Sequence, residues 1–137
     1  MIVLDNETIR FLNLFENMTN VPVKDCYVNG DSVYFIVEEG KIGLAIGKGG
    51  SSIKNVENAI GKRVKVYEYS PNPVEFVKNL IPQSKEVSLI NNGDSVEVQI
   101  RVDKSDRGFV IGREGEKIKV YKEILKRVHN ISDLKVK

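Results

Sequence analysis

Two short glycine runs carry the pattern in this sequence best suited to a specific chemistry: Gly47-Lys48-Gly49-Gly50 and Gly112-Arg113-Glu114-Gly115. Glycine at the first and fourth positions permits backbone angles that side chains penalise, and its smallness lets a ligand backbone approach closely. Each run reads as a turn that opens a helix, where unpaired amides and the positive end of the helix dipole face the same place. A phosphate oxygen suits such a place. Lys48 and Arg113 hold cognate positions in the two runs, and Lys54 and Lys119 lie one turn into the helices that follow. With Ser51 and Lys117 they complete a candidate set able to make charge-assisted contacts that read no bases. Glu114 lies inside the second run and Glu116 beside it, so phosphate is repelled there and the first run is expected to contribute more affinity. A single Gly-x-x-Gly is as readily a sharp helix-to-helix turn, but two copies with basic neighbours favour binding.

Other chemistries fail on residue type or spacing. One cysteine, Cys26, and one histidine, His129, form no disulfide, no Cys/His catalytic pair and no metal-ligand cluster. Cys26 reads as a small buried thiol on a strand, and His129 as a surface or capping residue near a helix end. A nucleotide-binding P-loop needs two glycines five positions apart followed by Lys-Ser/Thr, whereas Gly43 and Gly47 are four apart and Gly49 replaces the hydroxyl. A dinucleotide fingerprint beginning at Gly47 would need glycine where Ser52 stands. No catalytic residue, metal or cofactor is therefore expected. No apolar run approaches the roughly 20 residues of a membrane span, and no charged-then-apolar leader opens the chain, which reads as cytoplasmic with no membrane partner.

The elements that must hold these runs appear twice. Asn29-Gly30-Asp31-Ser32-Val33 recurs as Asn92-Gly93-Asp94-Ser95-Val96, and Ile46 to Lys54 recurs as Ile111 to Lys119. The offsets, 63 and 65 residues, give the second copy a connection two residues longer. Between the copies, Ser70-Pro71-Asn72-Pro73 resists both helix and sheet, which sets expected domains at 1–70 and 71–137. Charge repeats as well: residues 1–40 hold two bases against seven acids, 41–67 six against one, 68–100 two against five, and 101–127 nine against five. Each glycine run thus lies in a basic block suited to a polyanion.

The first half reads helix, strand, strand, helix, helix, strand. Thr8 is a candidate N-cap for a helix with Ile9, Phe11, Leu12, Leu14, Phe15 and Met18 on a broad apolar face. Strands over Val23 to Val28 and Ser32 to Glu38 flank the turn at Asn29-Gly30. A short helix, Ile42 to Ile46, leads into the glycine run; Ile53, Val56 and Ile60 space a second helix that stops at Gly61, and Arg63 to Tyr67 alternates as a strand. The second half repeats this order, with a helix over Val74 to Ile81, strands at Glu86 to Ile90 and Val96 to Val102, a helix carrying Ile118, Tyr121, Leu125 and Val128, and a last strand at Leu134 to Val136.

The stretches Ile46-Gly47-Lys48-Gly49-Gly50-Ser51-Ser52-Ile53 and Ile111-Gly112-Arg113-Glu114-Gly115-Glu116-Lys117-Ile118 resemble the Ile-Gly-x-x-Gly-x-x-Ile signature of the KH family. With a helix and strand preceding each core unit, the order resembles the type II form, and across nearly the whole chain the pair is similar to the tandem KH region of the NusA family in its short archaeal form. The resemblance implies an α+β fold of two tandem type II KH domains, each a three-stranded mixed sheet with three helices on one face. It implies a non-enzymatic factor that binds single-stranded RNA in transcription termination, antitermination or elongation, with Gly47 to Gly50 and Gly112 to Gly115 against the RNA backbone. RNA polymerase or the elongation complex is a further expected partner, and a monomer the expected state. The alternative is a ribosome-associated or ribosome-assembly RNA-binding protein, since KH units occur there too.

Overall fold

In the computed structural model, which describes residues 5–137, Asp5 rather than Thr8 starts the first helix, α1 (Asn6–Thr19). The Asp5 carboxylate accepts the Thr8 amide at 2.7 Å, the reach of an N-cap side chain to the third helical residue. Thr8 itself is buried with Phe11, Phe15 and Thr19. That stripe has helical spacing but is narrower than the sequence suggests: Ile9 and Met18 are 41% and 43% exposed. Each is one residue away from a buried threonine, about 100° around the helix.

The chain divides into two compact units between Ser70 and Pro71. In the first, β1 (Val23–Asn29) pairs antiparallel with β2 (Ser32–Val37) through a tight turn at Gly30 and Asp31. After α2 (Ile42–Ile46) and α3 (Ser51–Ile60), β3 (Arg63–Glu68) returns parallel to β2, leaving β2 in the centre of a mixed sheet. Alternate β2 residues Val33, Phe35 and Val37 join Phe11 and Phe15 of α1, Ala45 of α2 and Val56 of α3 in one core. Cys26 is buried in it as a thiol outside any disulfide. Ile53 and Ile60 pack against that core, and Gly61 ends α3 in the left-handed conformation at φ 79°.

The second unit repeats the topology. Asn72 caps α4 (Pro73–Leu80), its side chain accepting the amides of Val74 at 2.9 Å and Glu75 at 3.2 Å, and Pro73 sits in the first turn, where no amide is missed. Strands β4 (Ser84–Asn91) and β5 (Val96–Val102) pair antiparallel, and β6 (Asp133–Val136) lies parallel to β5. Val98, Ile100 and Val102 face inward while Arg101 is exposed, as their alternation requires. Between them run α5 (Lys104–Ile111) and α6 (Glu116–His129). The buried stripe of α6 is Val120, Tyr121, Ile124 and Leu125; Ile118 and Val128 are only half-buried. His129 is half-buried too, its ring tilted against Phe76 at 5.3 Å.

The extra length of the second copy resides in its hairpin. Cys26 pairs with Phe35 where Val87 pairs with Ile100, so β1 maps to β4 by 61 residues but β2 to β5 by 65. The recurring Asn-Gly-Asp-Ser-Val runs therefore mark both turns without being in equivalent register.

Two carboxylates tie stability to pH. Hydrogen bonds from the Thr8 side chain and amide hold Asp5 below its ordinary value of 3.8. At Asp133 partial burial pushes the other way but is outweighed by the Leu134 amide and by Lys122, at 3.3 Å, and Lys135. A carboxyl that is more acidic when folded stabilises the fold above its unfolded pKa, and that contribution is lost as pH falls through the folded value. Thermal melts by circular dichroism should show the midpoint falling below pH about 4, and Asp133→Asn should flatten that fall.

Candidate nucleic-acid interface

Both glycine runs adopt the same backbone path. Gly47 has φ 76° and ψ 169°, and Gly112 has 78° and 170°. At the third position Gly49 (62°, 21°) matches Glu114 (56°, 26°), and at the fourth Gly50 (77°, 14°) matches Gly115 (74°, 19°). Each run closes on itself through the amide of its fourth residue, which donates to the carbonyl of its first at 3.1 Å.

The first glycine is required twice over. Its φ and ψ are open almost only to glycine. A Cβ on Gly47 would also lie 2.9 Å from the Ser52 backbone nitrogen, and one on Gly112 would lie 2.9 Å from that of Lys117. Backbone atoms of a helix cannot yield to it. The fourth glycine is required by its φ alone, since a Cβ at Gly50 meets nothing within 4 Å. Glu114 takes a left-handed conformation that a side chain penalises, and it is one of three described non-glycine residues with positive φ.

Gly50 and Gly115 are the N-caps of α3 and α6, and neither helix receives a side-chain cap. The first amide of each helix, that of Ser51 or Glu116, already donates to the carbonyl of Lys48 or Arg113, and no side chain caps the amides that follow, where the positive end of the helix dipole suits an anion. Lys48, Lys54, Arg113 and Lys119 are exposed around these helix starts, and among the described residues none of the four forms an ion pair. Ser51 is exposed at the first position of α3, while Glu114 and Glu116 are exposed at the second site. Within each unit, then, the sequence-derived residues come together around one helix start. The Lys117 ammonium lies 3.4 Å from the centroid of the Phe109 ring.

Two residues beside the runs escape the sequence reading. Leu44 and Phe109 are 57% and 59% exposed, the highest values among the described large apolar residues in the open, and each lies three positions before its first glycine. The 65-residue offset that pairs the glycine runs also pairs these two positions, and that signal could have found them. Among the described residues no group of His, Cys, Asp and Glu could hold a metal ion, and no helix is long and apolar enough to cross a membrane.

Comparison with known proteins gives concordant results. The KH domain family model matches residues 13–88, from within α1 into β4. A protein of Methanocaldococcus jannaschii named "Probable transcription termination protein NusA" is 37% identical over 135 residues, covering 97% of this chain and 74% of the relative. The protein of the same name from Methanococcus vannielii is 34% identical over 137 residues, covering 98% and 79%. Among solved structures, the crystal structure of APE1850 superposes with a TM-score of 0.82 at 30% identity, covering 98% of this chain and 100% of that one.

Proposed function

We infer that this chain, which belongs to the NusA family of KH-domain proteins, is a transcription termination factor that acts by binding single-stranded RNA. In this reading residues 1–70 and 71–137 are two tandem type II KH domains, and the protein is a cytoplasmic, non-enzymatic monomer working with RNA polymerase or its elongation complex. Gly47, Gly49 and Gly50, with Gly112 and Gly115, admit the RNA backbone. Lys48, Lys54, Arg113 and Lys119 neutralise its phosphates, and Ser51 adds a hydroxyl.

The observation that carries the reading is the pair of loops with one backbone path, each opening a helix without a side-chain cap and each bearing a basic second residue. A turn kept for packing alone has no need of an exposed cation at that position in both copies. Fluorescence anisotropy with an unstructured RNA, a matching RNA duplex and a salt titration tests it. Single strands should bind more tightly than the duplex, with affinity falling linearly in log salt at about 0.7 per phosphate contact. Equal affinity for duplex, or no salt dependence, would contradict the reading.

The second loop offers a gain-of-function prediction. Glu114→Gly replaces a strained left-handed residue with the one found at the cognate Gly49, and removes an acid from the phosphate path. It should stabilise the fold by about 1 kcal/mol in urea denaturation. RNA affinity should rise several-fold at low salt. Glu114→Gln separates the two effects, since it keeps the strain but removes the charge: affinity should rise with stability unchanged.

A further inference from the structure

Phe109 is an exposed aromatic ring at the rim of the second glycine loop, and its surroundings are specific. Phe109 and Gly112 are three residues apart, within one helical turn, which puts Phe109 in the last turn of α5 before the loop. The Lys117 side chain leaves the first turn of α6 past Gly112, where a Cβ would meet its Cγ at 2.9 Å, and its ammonium settles over the ring. The bare glycine gives that side chain its path. The same position in the first unit, Leu44, is equally exposed but aliphatic, and Ser52 stands where Lys117 does.

We propose that Phe109, backed by Lys117, is a stacking platform for one unpaired nucleobase of the RNA, which gives the second unit a mode of grip that the first lacks. The inference rests on the RNA-binding reading above. Continuity with the loop identifies the occupant: a strand whose phosphates lie at Gly112 to Gly115 has its bases within reach of a ring one helical turn away. The chemistry agrees, because an aromatic face accepts any base, and the cation held over the ring suits a ligand that carries negative charge on its backbone. Such stacking compensates for Glu114, which weakens phosphate binding in the same loop. The first unit then grips chiefly through charge and the second chiefly through a base.

The test is a set of binding isotherms by fluorescence anisotropy with the full chain, using Phe109→Leu and Phe109→Trp, an unstructured RNA, and the same RNA scanned with single abasic nucleotides. Because Phe109 is largely exposed, these variants should melt as the native protein does. Phe109→Leu should bind RNA on the order of fivefold or more weakly with an unchanged salt slope, and Phe109→Trp should bind like the native chain. One abasic position should weaken native binding and have no effect in Phe109→Leu, the coupling expected of partners in contact. If Phe109→Leu binds within twofold of native while native binding stays tight and salt-dependent, the platform is wrong and the RNA-binding reading stands. If the native chain binds no single-stranded RNA even at low salt, the underlying reading fails and the platform with it.

Discussion

Lys48→Asp is expected to weaken binding of single-stranded RNA by about tenfold or more at low salt, and to leave the melting temperature unchanged. A charge-assisted hydrogen bond contributes about 1.5–3 kcal/mol, and about 1.4 kcal/mol is a factor of ten in affinity. Reversal of charge adds repulsion to that loss. Lys48 is exposed at the second position of its loop and forms no ion pair among the described residues, so the fold has little to lose. The salt dependence should become shallower by about 0.7 for each phosphate contact removed. Arg113→Asp should cost less, because Glu114 and Glu116 already oppose phosphate at the second loop. Anisotropy titrations at two salt concentrations measure both variants. A larger loss at Arg113 than at Lys48 would reject the ranking of the loops.

A larger effect, on stability instead of binding, is expected from Phe35→Ala. Phe35 is fully buried in the central strand β2, between Cys26 on β1 and Val66 on β3. Its ring stacks on that of Phe15 at 4.2 Å between centroids with the planes 21° apart, which ties α1 to the sheet. Truncation removes the ring and leaves a cavity that the surrounding helices and strands fill only in part, at a cost of about 3–5 kcal/mol. Whole small domains are stable by about 5–15 kcal/mol. The first unit should therefore be largely or wholly unfolded in mild urea, and its loop should lose RNA with it. Phe35→Leu keeps most of the volume and should cost less than half as much. Urea denaturation followed by circular dichroism reads both; a loss below 1 kcal/mol for the alanine variant would mean that β2 is not the keystone of the unit.

Much of the architecture was legible because each unit repeats the same punctuation. Glycine at a turn or helix stop has a local cause, so the short helix Ile42–Ile46 and the stop at Gly61 stand where the sequence puts them, and the hairpin turn falls one residue on, at Gly30-Asp31, because Asn29 still pairs with Ser32. Features decided by tertiary packing were less legible. Thr8 is as good a cap by type as Asp5, and only the path of the chain makes Asp5 the acceptor and buries Thr8. Ile9 and Met18 are apolar but flank a stripe whose centre is set by where α1 meets β2. The register shift between the hairpins was hidden because the turn sequence recurs while the ladder behind it slips.

At the candidate site the loops and their cations were readable from residue type and spacing. The requirement for the first glycine came from conformation alone, and the close approach of Ser52 and Lys117 adds a second reason that only coordinates reveal. The exposure of Leu44 has no sequence signal of its own, since a helix as short as Ile42–Ile46 has too few positions to define a face. The contact of the Lys117 ammonium with the Phe109 ring joins two elements and has no signal in the sequence.

The central claim is that RNA is gripped at the two glycine loops, and amide chemical-shift mapping during titration with an unstructured single-stranded RNA tests it most directly. The largest shifts should fall on residues 47–54 and 112–119, with the first group responding at the lower RNA concentration. Shifts confined to other surfaces, with both loops silent while RNA binds, would contradict it.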